Sequence, residues 1–418
     1  MRQARRLVVL AASAACVLTA VSVGPVAAAE TGRASSAITT PTVTASTITT
    51  PIVTASTTTT PIVTVSTAST PPATPSVTST PSTTSRPTDY PPPTGTPTVT
   101  PSTTITPTAP CATRASSGTA STGRTPTITE MALPTAGSGP ANIVQAPGGD
   151  LWFTEQNANQ IGRISAGGKV TEYVLPTQGS LPDGITVGPD GNIWFTEFLG
   201  DKVGRITPGG KINEYAVTTP ESDPLGITTG PDGNVWFTEA NAGRIGRMTP
   251  TGKLLAEYPS VGSWPSAITV GPDRNLWYAE RWTNKVARIT LTGTTTEFTV
   301  PQGPTGITTG PDGNLWVTMQ DSPCGSVVRL TPTGEVTEFR THRTANTSGP
   351  TGITTGADGN LWFTLQFSQE IGRITPTGTV SLFPLATSAA NPTGITATSA
   401  GEIWFTEFNA GRIGRVTR

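Results

Sequence analysis

From about residue 140 onward, apolar and polar positions alternate in short runs that repeat with a long period. One run reads Ile193-Trp194-Phe195-Thr196-Glu197, with β-branched and aromatic residues at every second position and turn residues on either side. Trp recurs at 152, 194, 236, 277, 316, 362 and 404, at intervals of 42, 42, 41, 39, 46 and 42 residues. In the second unit the pattern predicts strands over Gly184–Val187, Ile193–Glu197, Lys202–Thr207 and Lys211–Val217. Pro189-Asp190-Gly191-Asn192 turns the chain between the first two, and Thr207-Pro208-Gly209-Gly210 between the last two. A four-stranded unit repeated every 42 residues or so is a propeller blade, and a lone blade cannot bury both faces. Seven Trp predict an all-β, seven-bladed β-propeller over residues 126–418.

The chain ends just after the third strand of the seventh unit, leaving that blade without its outer strand. Upstream, Thr127-Ile128-Thr129-Glu130-Met131-Ala132-Leu133-Pro134 matches the outer strand Val170-Thr171-Glu172-Tyr173-Val174-Leu175-Pro176. Residues 127–134 are therefore expected to complete the last blade, which also covers two open edges.

Residues before 126 have no such pattern. Arg2, Arg5 and Arg6, an apolar run from Leu7 to about Val26 and then Ala27-Ala28-Ala29 read as a signal peptide over 1–29, with a retained anchor as the alternative. Ser13 before Cys16 is too polar for a lipoprotein signal. Residues 38–67 hold three decapeptides, ITTPTVTAST, ITTPIVTAST and TTTPIVTVST, and Ser/Thr/Pro-rich sequence continues to about Thr125. Frequent proline and almost no aromatics or charges predict a disordered stalk over 30–125, resembling mucin-like spacers; a passive tail is the alternative. The expected location is secreted or extracellular, with cell-surface display open.

Without the three signal arginines, 23 basic residues face 27 acidic ones, a balance of about −4 that does not suit nucleic acid or anionic membrane. A monomer is expected. Cys111 and Cys324 remain after Cys16 is removed, and in an oxidising compartment they can pair.

The repeat separates scaffold from site. Trp is sevenfold, as is Arg at 163, 205, 247, 288, 329, 373 and 415, while Glu155, Glu197, Glu239, Glu280 and Glu407 fill the same slot in five blades. Ion pairs or backbone hydrogen bonds between this Arg and Glu are expected. Departures concentrate at the positions topology assigns to the central mouth. The residue after Pro in the strand nearest the axis reads Ala141, Asp183, Leu225, Ser266, Thr305, Thr351 and Thr393. The two positions after the Glu slot include Phe198, Arg281, Trp282, Gln320, Asp321, Gln366, Phe367 and Phe408. Aromatics among a few polar groups suit an amphipathic ligand, with ordinary loop variation as the alternative. The single histidine, His342, stands in a lengthened loop and reads as a solvated surface residue; no Ser-His-Asp set or Cys/His metal cluster can be assembled.

The units I-W-F-T-E followed by N-x-x-I-G-R-I-T-x-x-G-x-I-x-E-Y resemble the streptogramin B lyase (virginiamycin B lyase) family across residues 126–418. That resemblance implies Mg²⁺-assisted elimination that opens a cyclic depsipeptide, with a base removing the proton α to the ester carbonyl. It assigns the work to histidines in the P-H-[GA]-I segments of the sixth and seventh blades, a Glu before the second such Pro, and a Glu four residues after the last Trp. The matching positions here are Thr351, Thr393, Asn391 and Phe408. No catalytic residue and no metal ligand is carried over, and no cofactor is expected unless the lyase reading holds, which would bring Mg²⁺. The expected role is a binding module for a peptide, glycopeptide or cell-wall ligand at Asp183, Phe198, Arg281, Trp282, Gln320, Thr351, Gln366, Phe367, Thr393 and Phe408.

Overall fold

The computed structural model describes residues 126–342 and 349–417; the segments expected to be a signal peptide and a stalk, and Cys111, lie outside the described residues. Among the described residues there are 28 strands and no helix. Strand β1 (Thr127–Ala132) is followed by the first blade, which comprises β2 (Pro140–Gln145), β3 (Leu151–Glu155), β4 (Gln160–Ile164) and β5 (Val170–Val174). Six blades are antiparallel four-stranded sheets in sequence order. The seventh takes its outer strand from the start of the chain: β1 pairs with the last strand, β28 (Arg412–Thr417), from Thr127↔Thr417 to Ala132↔Arg412. The first strand of each blade packs against its counterparts in both neighbouring blades and so lines the axis.

In the second blade the four strands run Pro182–Val187, Ile193–Glu197, Lys202–Ile206 and Ile212–Ala216. Sequence reasoning placed the second of these without error and misjudged the others only at their ends.

The second strand of each blade is buried on both faces, with Trp404 of the last blade partly so, because successive side chains point to opposite neighbours. Trp194 packs forward onto Val235 and Phe237 of the third blade, while Phe195 packs backward against Trp152 of the first. Phe195 also lies over its cross-strand partner Gly204, where a Cβ would come within 2.1 Å of the ring. Where that glycine is absent the ring changes with it. The pairs become Tyr278 with Ala287 and Val317 with Val328, so both members of the pair differ together.

The repeated arginine does not pair with the repeated glutamate. It lies over the Trp of its own blade, 5.3–5.7 Å from the ring centroid in six blades. In five blades its charge is met by an acidic residue in the turn before that Trp, as in Arg163–Asp150 at 2.6 Å and Arg247–Asp232 at 2.6 Å. The same turn aspartate accepts from the indole Nε1, as in Asp190 with Trp194 at 3.0 Å and Asp273 with Trp277 at 2.9 Å. The Glu slot points the other way, into the space beneath the loop that enters its blade. All five carboxyls there are fully buried. Glu239 and Glu407 have no hydrogen-bond partner for either oxygen. Desolvation pushes Glu155, Glu197 and Glu407 up to about 7 and Glu239 up to about 8. Glu280 is also raised by burial, although Ser260 Oγ and Gly262 N donate to it at 2.7 and 3.0 Å.

The closing strand repeats the chemistry of an outer strand as well as its pairing. Glu172 and Glu214 each accept from a loop of the preceding blade, through Thr135 N at 3.1 Å and Thr177 N at 2.9 Å. Glu130 of β1 does the same for Ala386 N at 3.1 Å and for the Thr387 hydroxyl.

Candidate functional site

Around the axis the blades are joined by a ring of hydroxyls. The Thr two residues after each blade Trp donates to the mouth residue of the next blade's inner strand. These bonds run Thr154 to Asp183 O, Thr196 to Leu225 O, Thr238 to Ser266 O, Thr318 to Thr351 O, Thr364 to Thr393 O and Thr406 to Ala141 O, at 2.6–2.8 Å. The fourth blade has Ala279 there, and its own Ser266 replaces the missing donor by bonding Thr305 O at 3.2 Å. The ring spends the backbone carbonyls of the mouth residues and leaves their side chains to differ.

Those side chains form two polar groups. In the first, Asp183 accepts from Asn142 Nδ2 at 2.8 Å and from Gln156 Nε2. Burial pushes this carboxyl up to about 7 against the pull of both amides. In the second, Gln320 Nε2 donates to Gln366 Oε1 at 2.6 Å and reaches Thr351 Oγ1 at 3.4 Å. The Thr351 hydroxyl in turn donates to Gly349 O at 2.9 Å. Thr393 Oγ1 donates to Ala141 O at 2.9 Å. At the rim, Arg281 Nη2 and Asp321 Oδ1 form a 3.0 Å ion pair between the loops of the fourth and fifth blades.

The aromatics divide by exposure. Phe198 and Phe408 are buried, Phe367 is 36% exposed and Trp282 is 61% exposed. Sequence reasoning missed three residues here. Trp264 stacks on Trp282 with centroids 4.5 Å apart and planes 14° apart, and lies 6.5 Å from Phe198. It was legible, since nine Trp minus a sevenfold set leaves two outside the register. Asn142 stands where the P-x-G pattern has Gly, and Gln156 follows the Glu slot of the first blade. Both were departures of the kind the repeat exposes.

His342 is not the freely solvated residue expected. Its Nε2 lies 3.0 Å from Glu370 Oε2, its Nδ1 3.0 Å from the Thr341 hydroxyl, and its backbone N–H donates to Cys324 O at 3.2 Å. These contacts hold it in the outer loops. Cys324 is disulfide-bonded; Cys111, the partner expected from sequence, lies outside the described residues.

The four positions the resemblance makes catalytic do not present that chemistry. The hydroxyls of Thr351 and Thr393 are engaged with backbone carbonyls. Phe408 is buried, and Glu407 beside it points into the blade interior. Asn391 is buried with an unpartnered Oδ1, a single neutral oxygen. Magnesium takes carboxylates in octahedral geometry. Among the described residues no three His, Cys, Asp or Glu side chains converge to hold a metal. This donor set does not fit Mg²⁺.

The profile of the Virginiamycin B lyase family matches residues 112–261 and 255–418. Comparison with curated proteins gave no match. Among solved structures, selenomethionine-substituted virginiamycin B lyase from Staphylococcus aureus is 39% identical with a TM-score of 0.66, covering 70% of this chain and 100% of that one. A catalytically inactive histidine-to-alanine variant of the S. aureus enzyme with quinupristin is likewise 39% identical, with a TM-score of 0.67 and coverage of 70% and 100%. A streptogramin B lyase is 35% identical with a TM-score of 0.66, covering 70% of this chain and 97% of that chain. With the blade count, the closing strand and the motif all in agreement, this chain belongs to the virginiamycin B lyase family.

Proposed function

We propose that this propeller is a secreted or surface-displayed binding module, which takes a peptide, glycopeptide or cell-wall ligand at its mouth and does not open depsipeptides. The carrying observation is the chemistry at the four family positions, where two engaged threonine hydroxyls, a buried amide and a buried phenylalanine stand. A threonine hydroxyl has no basic form near neutral pH without a partner to take its proton. Asp183, with a carboxyl near 7, has the acidity of a base, but it lies in the second blade and has no cation or second acid beside it. Amides, hydroxyls and aromatic faces at one opening are the composition of a recognition surface. The leader and the Ser/Thr/Pro-rich stalk support export and display.

The 39% identity to virginiamycin B lyase favours a second reading, elimination at a rebuilt site. Incubating the full-length mature chain with quinupristin, in Mg²⁺ or in chelator, separates the two by mass spectrometry of the product. An unchanged ring supports binding alone, and magnesium-dependent linearisation overturns it. A thermal-shift screen against peptides and wall fragments is expected to return a stabilising ligand.

A further inference from the structure

Two tryptophans serve no blade. Trp264 and Trp282 lie outside the sevenfold register and belong to none of the inter-blade cores. They stack on each other, Trp282 is the most exposed aromatic described, and Phe198 extends the row toward the second blade. The loop of the intervening third blade carries Ala240 at the position of Phe198, too small to separate the rings.

Trp264 also sits at a conformational cost. It occupies the position before the inner-strand proline, where the backbone is left-handed in every blade. The first, fifth and sixth blades use glycine there, at φ 66, 72 and 59, and the third and seventh use Asp223 and Asn391; the second and fourth place bulky residues in it, Leu181 at φ 51 and Trp264 at φ 60. A strained residue that does not contribute to the core points to a use outside the fold.

We propose that the exposed face of Trp282, backed by Trp264 and the buried Phe198, is a stacking platform for the pyranose rings of a β-linked wall glycan, which deepens and rests on the binding reading above. The axial C–H bonds of a pyranose carry partial positive charge and seat on the negative face of an indole. The neighbouring polar groups are matched to hydroxyl and acetamido substituents. The charge at the rim is internally neutralised in the Arg281–Asp321 pair, and Asp183 is already held by two amides. Charged peptide side chains therefore find no free counter-charge at the platform, and a neutral polyol needs none.

The test is calorimetric titration of the full-length mature chain with the β-1,4-linked tetramer of N-acetylglucosamine, alongside Trp282→Ala and Trp264→Gly. Saturable binding is expected, weakened about tenfold or more by either substitution. Trp264→Gly is further expected to keep or raise Tm, because it removes the left-handed strain. Unchanged affinity in both variants overturns the platform, and so does a marked fall in Tm for Trp264→Gly. No binding of the tetramer or of soluble wall glycan overturns the ligand class. If a peptide then saturates the mouth, binding as a function stands and the glycan assignment alone falls.

Discussion

The layer of Trp, Arg and turn aspartate and the mouth of the propeller are built from the same seven repeats, yet they obey opposite rules. In the layer each side chain is matched to a particular partner, in its own blade or the next. A change in one residue therefore appears with a change in its partner, as in Tyr278 with Ala287 or Val317 with Val328. At the mouth the backbone carbonyls are committed through the ring of hydroxyls, while the side chains differ from blade to blade, from Asp183 to Leu225 to Thr393, and pair only locally, as Asp183 does with Asn142 and Gln156. Contacts repeated in blade after blade enforce the pattern in the layer, and purely local pairing leaves the mouth free to specialise.

The sharpest way to break this contrast is to remove a shared piece of scaffold. Deleting residues 126–134 strips β1 from β28 and the Glu130 bonds from the adjoining loop. Cooperative thermal unfolding is expected to disappear or to fall by more than 10 °C in calorimetry, since an open ring exposes two blade faces and a strand edge. Trp236→Ala, in the fully buried inter-blade core, should cost about 3–5 kcal/mol in denaturant unfolding. Trp282→Ala, at 61% exposure, should stay within about 0.5 kcal/mol of wild type. Equal costs for the two would erase the distinction between layer and mouth.

Much of this division was legible before any coordinates. Seven Trp at near-constant spacing gave the blade count, and the match of 127–134 to 170–176 gave ring closure, because a propeller's architecture is periodic in one dimension and so is its sequence. The partner of the repeated arginine was not legible. A strand Glu recurs in five blades and a turn Asp in six, and only the direction of each side chain out of its strand decides which one the guanidinium meets. Nor was the meeting of Phe198 with Trp264, which depends on two loops two blades apart converging over Ala240. Sequence period carries no information about such contacts.

The buried glutamates sharpen the comparison through pH. Glu155, Glu197 and Glu407 are raised from the ordinary carboxylate value to about 7, and Glu239 to about 8, so the folded state holds protons that the unfolded chain releases. Their contribution to stability is complete below about 4.5 and is lost as pH rises through 7 to 8. The turn aspartates Asp190, Asp232, Asp273 and Asp312 are lowered in spite of burial, by hydrogen bonds from Asn and Trp. Their contribution is present above the ordinary carboxylate value and is lost as pH falls below it. Tm is therefore expected to peak near pH 5 and to decline by several degrees toward pH 8. Glu239→Gln should add about 1–3 kcal/mol at pH 8 and little at pH 5. A flat profile from pH 5 to 8 would mean that water or a cation reaches these carboxyls.

Single hydrogen bonds probe the seam between the two regions. Thr238 joins the third blade to the fourth through Ser266 O at 2.7 Å and also accepts from Gly226 N at 2.8 Å. Thr238→Val keeps the shape and removes both bonds, leaving a buried carbonyl and a buried amide without partners. The expected cost is about 1–3 kcal/mol. Ser266→Ala removes the substitute donor in the one blade that lacks the threonine, and should cost about 1 kcal/mol. Restoring the threonine with Ala279→Thr should recover that loss in the Ser266→Ala background and add little in wild type, where the Ser266 hydroxyl already serves Thr305 O. The double-mutant coupling measured by denaturant unfolding then reports whether the serine does the threonine's work. Additive effects would instead make Ser266 an ordinary mouth residue, and the ring of hydroxyls would close through six blades and not seven.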